Sequence, residues 1–529
     1  MRFRVAPFAW AGPLLVLGSM TAAADCGSMA GLALPNTTIT AAQSVPAGTF
    51  TAPDGEVFAN LPAFCRVAGA IKPTSDSNIL FEVWMPSSGW NQKFKGNGNG
   101  GYAGSIIYSA MASDVRLGYA STSTDTGHEA SVIDGSWALG HPEKIIDFGY
   151  RAHHLVAQDA KSIVEAFYSA APRHSYFQGC SGGGQEAQME SQRFPDDYDG
   201  IIAGDPANFW THHYVGAHLW ISRATLGDPS LDSYVSASQA AVIGNAVNAA
   251  CDAQDDGIVD GVLVDPRDCH FQPARLLCKA GQDPGTCLTA PQVEAVAKIW
   301  AGPDRATSPG FYPGLARGGE TLGWPGFVTG PAPFFSVHYL LGIPFFKYFV
   351  YNDPNWDFRT FDFKTDPAFV DAKMGPIMNA TSPDLSAFRR HGGKLIHYHG
   401  YSDPDISPIN SINYFESVVA GQAEEHGPRE ALEETQEFYR LFLAPGMNHC
   451  AGGPGPNVFD TLTALDEWVD DGIAPEKIIA TKYVNDNPAQ GVVMTRPLCP
   501  YPEQARYKGT GSTNDAANFV CANDRDRRR

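Results

Sequence analysis

Tyr176-Phe177-Gln178-Gly179-Cys180-Ser181-Gly182-Gly183-Gly184-Gln185 is the stretch whose reading decides the fold. Tyr176 to Gln178 has strand character, and the residues from about Gly183 to Arg193 read as a helix. Between them, Gly179 to Gly183 has the spacing G-x-S-x-G. A strand that turns sharply into a helix holds the central serine strained and exposed, and its small neighbours allow close backbone approach. Three successive glycines alone would read as a flexible turn. The strand before them and the helix after them make Ser181 a candidate nucleophile.

Working outward, Tyr150 to Phe167 reads as a helix with Val156, Ala160, Ile163, Val164 and Phe167 on one face. Gly200 to Ala203 is a short strand, and Ile79 to Met85 and Phe94 are strands ahead of a glycine-rich loop, Gly96 to Gly104. The same alternation returns in Leu395 to Tyr398, in Phe438 to Leu443, and in a helix carrying Val458, Leu462, Leu465 and Val469. Alternating strands and helices imply an α/β fold, a mostly parallel sheet with helices on both faces. From Ala207 to Phe388 the periodicity fades and Pro, Gly and aromatic residues dominate. That middle segment reads as an insertion over one edge of the sheet, which assigns residues 25–206 and 389–529 to the core domain and 207–388 to the inserted one.

The 529 residues are 43% hydrophobic and 18% charged, enough to bury a large core. A net charge of −20 disfavours nucleic acid and anionic membrane surfaces as partners. Residues 1–24 carry Arg2 and Arg4, a short apolar run and Ala22-Ala23-Ala24, the pattern of a cleaved secretory signal. Export suits an even count of ten cysteines, which then read as disulfides. The arginines at the end of the chain, 525–529, read as a frayed tail.

A serine hydroxyl needs a base to take its proton. His449 follows the strand Phe438 to Leu443 directly and is the candidate. In chain order the orienting carboxylate falls between serine and histidine. Asp403, just past Leu395 to Tyr398, is favoured because it lies near the end of its strand; Asp405 is the alternative. His397 and His399 are rival bases that read better as packed, hydrogen-bonded side chains. The oxyanion hole needs two backbone N–H groups. Gly182 supplies one, and Gly101, with Gly100 as alternative, the other. Cys180 precedes Ser181 and Cys450 follows His449. If serine and histidine meet, the two cysteines come within disulfide reach, so a Cys180–Cys450 bridge is predicted.

Cys251-Asp252-Ala253-Gln254-Asp255-Asp256-Gly257-Ile258-Val259-Asp260-Gly261-Val262 crowds carboxylates and glycines into one loop. Calcium takes six to eight oxygens, some from backbone carbonyls. Asp252, Asp256 and Asp260 with the carbonyls of Ile258 and Val262 are the expected ligands; Asp255 could replace Asp256. A bridge from Cys251 to Cys269 would close the loop. A solvated acidic turn is the competing reading.

On Gly179 to Gly184, Pro195 to Pro206, the Cys251-Asp252-Ala253 loop, His399 to Pro404 and Asn448-His449-Cys450, the chain resembles the tannase and feruloyl esterase family, which includes mono(2-hydroxyethyl) terephthalate hydrolases. The resemblance implies an α/β-hydrolase core, a large inserted lid with structural Ca2+, and further bridges Cys26–Cys65, Cys251–Cys269, Cys278–Cys287 and Cys499–Cys521. It implies a small aromatic-ester substrate, a plant polyphenol or cell-wall ester, or a terephthalate monoester. Gln185 departs from the arginine expected in many relatives, and the extra acidic residue blurs the calcium register. Phe334, Phe335, Phe345, Phe346, Tyr348, Phe349 and Trp356 could stack on a planar acyl group or form the core of the insertion. Arg317 and Arg359 are candidates for gripping a substrate carboxylate. A non-catalytic calcium-dependent binding protein and a peptidase are the rival functions.

Overall fold

The computed structural model describes residues 24–523, apart from 304–305, 309 and 424–426. The expected signal, except Ala24, and the terminal arginines lie outside the described residues.

Nine strands form one sheet: β1 (Thr37–Val45), β2 (Phe64–Ile71), β3 (Ile79–Pro86), β4 (Lys93–Asn97), β5 (Ala120–Thr124), β6 (His174–Cys180), β7 (Gly200–Gly204), β8 (Lys394–Gly400) and β9 (Tyr439–Ala444). Their spatial order is β1-β2-β3-β5-β4-β6-β7-β8-β9. From β5 to β9 the neighbours are parallel. The sheet is mostly parallel, as expected, with an antiparallel start in which β1, β2, β3 and β5 pair in turn. Only residues 72–78 separate β2 from β3, too few for the dozen or more that a parallel crossover requires. The parallel strands β4 and β7 are buried along their whole length, as a sheet covered on both faces demands.

The helix Ala152–Tyr168 buries Val156, Ala160, Ile163, Val164 and Phe167, the face read from the sequence. It begins two residues late because Asp147–Arg151 forms a π turn ahead of it. The last predicted helix starts at Thr461, where Asp460 accepts the Thr463 N–H at 2.9 Å as a cap. Val458 is therefore not on that helix; it bridges Thr481 instead.

Residues 207–388 fall between β7 and β8, and among the described residues none joins the sheet. The segment is built from short, interrupted helices. Trp210–His213 and Trp220–Leu226 are separated by a π turn, Tyr214–Leu219, and prolines 344 and 376 lie inside helices. These interruptions break the 3.6-residue repeat, which is why no period is visible in the sequence. Trp210, Tyr312, Trp324, Phe345, Phe346 and Phe349 are buried together there. The segment rests on the loop that follows β8: the Ser407 hydroxyl donates to Gly314 O at 2.7 Å, and His338 Nε2 lies 2.9 Å from Pro404 O. Gln185, the residue out of pattern, donates to Met378 O at 2.9 Å and ties the helix Gly182–Arg193 to the segment.

All ten cysteines are paired, as Cys26–Cys65, Cys180–Cys450, Cys251–Cys269, Cys278–Cys287 and Cys499–Cys521. Four bridges close short loops. Cys180–Cys450 joins residues 270 apart in sequence with Cα atoms 6.0 Å apart.

Candidate active site

Ser181 stands between β6 and the helix Gly182–Arg193 with φ 66° and ψ −121°. A non-glycine residue at positive φ is strained, and the surroundings hold it there: Ser181 N–H donates to Gly204 O at 2.9 Å, and Ser181 O accepts the Ala207 N–H at 3.1 Å. Glycines make the turn possible. A Cβ on Gly183 would stand 2.4 Å from Asn99 O, so any side chain there would push the Gly98–Gly101 loop away.

That loop lies against the serine turn. The position of a Cβ on Gly182 would be 3.0 Å from Gly101 O and 3.3 Å from Gly101 N, so the two predicted oxyanion donors are backbone neighbours. Glu186 holds the loop from the helix, accepting the Asn99 N–H at 2.7 Å while His153 Nε2 lies 3.0 Å from the same oxygen. Asn99 Nδ2 donates to Thr124 O at 3.0 Å and Ser105 O at 2.7 Å. Glu186 and Asn99 were not singled out from the sequence. A carboxylate on a helix says nothing of a loop 87 residues earlier until the two pack together.

His449 Nδ1 lies 2.7 Å from Asp403 Oδ2. Asp403 Oδ1 accepts the Asp405 and Ile406 N–H groups at 2.7 and 3.1 Å, which fixes the carboxylate plane. Asp405, the alternative, has Oδ2 3.8 Å from Nε2, the opposite side of the ring. The nearer partner on Nδ1 is thus Asp403. Burial pushes the Asp403 carboxyl up, but His449, together with the hydrogen bond from His399, outweighs it and holds the group well below the usual carboxylate range. On His449, burial favours the neutral ring; Asp403, then Asp405 and Asp205, override it and raise the imidazole to about 10. Burial pushes Asp405 itself up to about 7.

His397 is hydrogen-bonded to Tyr439 OH and Ser411 Oγ at 2.8 and 2.9 Å and is fully buried, as expected of a packed histidine. His399 does more than pack. Its Nδ1 lies 2.7 Å from Ser411 Oγ and its Nε2 3.2 Å from Asp403 Oδ2. Asp205, at the end of β7, is a residue that sequence reasoning missed. Its Oδ1 accepts the Gly400 N–H at 2.8 Å, its Oδ2 accepts the Cys450 N–H, and Oδ2 stands 4.0 Å from His449 Nδ1. One buried carboxylate therefore ties β7, β8 and the histidine loop together. Its only signal was a place at the carboxyl end of a strand, in Gly204-Asp205-Pro206.

Phe345, Phe346 and Phe349 are buried in the core of the middle segment, Trp356 stacks on Phe346, and Phe334 packs on Tyr339. Phe335 is exposed. An aromatic ring beside the site is Phe327, outside the predicted set, edge-on to His449 with ring centres 5.5 Å apart. Arg317 lies over Trp300 and donates to Phe271 O at 3.2 Å; Arg359 lies over Phe358 and pairs with Asp357 at 3.4 Å.

In the acidic loop, Asp252 Oδ2 accepts the Gly261 N–H at 2.9 Å while its buried Oδ1 has no partner. Asp256 accepts the Ile258 N–H at 2.8 Å, and Asp260 accepts the Val262 N–H at 3.1 Å and pairs with Arg496 at 2.9 Å. Burial raises the carboxyls of Asp256 and Asp260. An orphaned buried oxygen among mutually repelling carboxylates fits a hard cation. Arg496, from the hairpin after β9, was not expected beside it.

A sheet in this order, with a strained serine turn at the end of β6 and an acid and a histidine following β8 and β9, defines an α/β hydrolase. The family model for tannase and feruloyl esterase matches residues 65–522, and the chain belongs to that family. It is a carboxylic ester hydrolase. An uncharacterised esterase of Xanthomonas campestris is 43% identical, covering 96% of this chain and 93% of its own. The mono(2-hydroxyethyl) terephthalate hydrolase of Piscinibacter sakaiensis is 34% identical, covering 88% and 85%. The crystal structure of feruloyl esterase B from Aspergillus oryzae superposes with a TM-score of 0.83 at 31% identity, over 94% of this chain and 99% of that one.

Proposed function

We propose that the protein hydrolyses esters of phenolic acids, of feruloyl or galloyl type, through an acyl-enzyme on Ser181. The observation that carries this reading is the 2.7 Å contact of His449 with Asp403, on a loop bridged directly to the serine turn. Ser181 Oγ attacks the ester carbonyl carbon while its proton passes to His449 Nε2. The carbonyl oxygen becomes an oxyanion facing the Gly182 and Gly101 N–H groups. The carbon–oxygen ester bond then breaks, and the alcohol departs with the proton from Nε2. Water, deprotonated by the same nitrogen, attacks the acyl-serine and releases the acid and Ser181. Asp403 holds the Nδ1–H tautomer throughout. The phenolic acyl half is supported by relatives named as feruloyl esterases. The relative named a terephthalate monoester hydrolase makes that ester the second substrate to test.

A panel of methyl ferulate, methyl gallate, mono(2-hydroxyethyl) terephthalate and a peptide anilide, assayed with the wild type and Ser181→Ala, tests the reading. Turnover of the first two by the wild type and at least a 1,000-fold loss in the mutant are expected, on the order seen when such a nucleophile is removed. Turnover of the anilide alone, or of nothing, would sink it.

Residues 207–388 are proposed to act as a lid, stiffened by Ca2+ on Asp252, Asp256, Asp260 and the carbonyls of Ile258 and Val262. The ion would supply only positive charge and fixed geometry to the loop. A calcium-selective chelator is expected to lower the melting temperature by several degrees, with recovery on adding calcium but not magnesium. An unchanged melt in the chelator would count against the ion. Export after cleavage near Ala24 completes the reading and agrees with five disulfides.

A further inference from the structure

A second group of side chains, which reaches the Nε2 side of the His449 ring through Asp405, is used by nothing in the mechanism above. His213 and His218 come from the interrupted helix of the middle segment, His338 from the helix Val337–Pro344, and Asp405 from the loop after β8. All four are buried, with 0% exposure at His338 and 3% at Asp405. Asp405 Oδ1 has no hydrogen-bond partner. An isolated carboxylate oxygen in such a place is costly unless something positive faces it.

The nitrogens around that oxygen are arranged as ligands. His218 Nδ1 and His338 Nδ1 are 3.0 Å apart, and they lie 3.7 and 3.6 Å from Asp405 Oδ1. A triangle with sides of 3.0, 3.6 and 3.7 Å has a point about 2.0 Å from all three corners, which is the length of a zinc–nitrogen or zinc–oxygen bond. A ring nitrogen of His213 lies within 4.8 Å of a ring nitrogen of His218 and a carboxylate oxygen of Asp405, a second group that shares His218 and Asp405 with the triangle and does not include His338. The outer contacts have the form that metal-bound histidines use. His338 Nε2 is 2.9 Å from Pro404 O, so that nitrogen carries the proton and Nδ1 presents a lone pair. His213 Nδ1 is 3.3 Å from Tyr312 OH.

The backbone is also shaped for this meeting. In a regular α-helix, residues five apart project about 140° from one another. The π turn Tyr214–Leu219 removes that divergence, and the His213 and His218 rings come to 4.3 Å between centres. Single π turns of this kind gather at functional sites.

We propose that His213, His218, His338 and Asp405 bind a divalent transition-metal ion, zinc by preference. Three imidazoles and one carboxylate form a four-coordinate set that suits zinc and does not suit calcium, which takes oxygen. With four protein ligands the site is closed, so its role is structural. It fastens the middle segment to the loop that carries Asp403. The proposal is independent of the ester that the enzyme cleaves and of the acidic loop.

Untagged full-length protein, purified without chelator, is analysed for zinc and calcium by mass spectrometry, and separately unfolded and refolded in Co2+. About one zinc per chain is expected, with the visible absorption of tetrahedral cobalt after refolding. His218→Gln and His338→Gln should each lose most of the zinc and leave the calcium content unchanged. Zinc below about a tenth of one ion per chain together with no cobalt bands would overturn the proposal. So would full zinc in His338→Gln. If both variants fail to fold, the wild-type zinc and cobalt measurements decide alone.

Discussion

Asp403→Asn is expected to lower kcat/KM on methyl ferulate by roughly 10,000-fold while leaving the melting temperature within a few degrees, the scale of loss when an orienting carboxylate becomes an amide. The geometry says why. The Asp405 and Ile406 N–H groups both donate to Oδ1, so an asparagine must keep its oxygen there and turn its NH2 toward His399 and His449. That amide donates to His449 Nδ1, moves the ring proton to Nε2, and takes away the lone pair that Ser181 needs. Asp405→Asn lies on the other side of the ring and is expected to cost far less, below about 100-fold. Equal losses in the two variants would show that the acid has been misassigned. The same carboxylates give a pH signature. Asp403 is the largest of the charges that raise His449, and the base must be neutral to act, so wild-type kcat/KM should climb with pH through an apparent pKa above the ordinary imidazole value. A profile already flat at pH 6.5 would contradict this.

Removing the Cys180–Cys450 bridge has the second large effect. Closing a loop of 270 residues in the unfolded chain corresponds to about 5.6 kcal/mol in the chain-entropy account, more than any of the other four bridges contributes. The functional loss should run ahead of the structural one. Cys450 sits at φ 60° and its N–H is held by Asp205, so the bridge and Asp205 together fix the backbone on which His449 stands. In Cys180→Ser/Cys450→Ser, and in the wild type under graded reductant, ester turnover is expected to fall before the near-UV spectrum changes. Parallel loss of both signals would mean that the bridge only stabilises the fold.

Ser181, Asp403 and His449 could be singled out from the sequence as candidates because each sits where a local rule applies: a tight turn between strand and helix, or the first loop after a strand. The Cys180–Cys450 bridge followed from the same rules, since neighbours of residues that meet must themselves come close. Glu186, His399 and Phe327 carry no such local mark, and Asp205 carries only its place after a strand, with nothing in the sequence to say which groups it meets. Their positions depend on which oxygen faces which N–H across strands and helices that are distant in the chain. The same holds for Arg496 beside Asp260, and for Arg317 and Arg359, whose planar groups settle on Trp300 and Phe358.

The sequence alone determined the α/β core, the serine turn, and the chain order of the candidate acid and histidine, because strand and helix periods and turn chemistry act over a few residues. Only the tertiary structure decided the antiparallel start of the sheet, the place of Asp205 between β7, β8 and the histidine loop, and the gathering of His213, His218 and His338 around Asp405. The last of these rests on the packing of the middle segment against the ends of the strands. Hydrogen-bond directions across such a contact are set by distances of a few ångströms between residues many tens of positions apart.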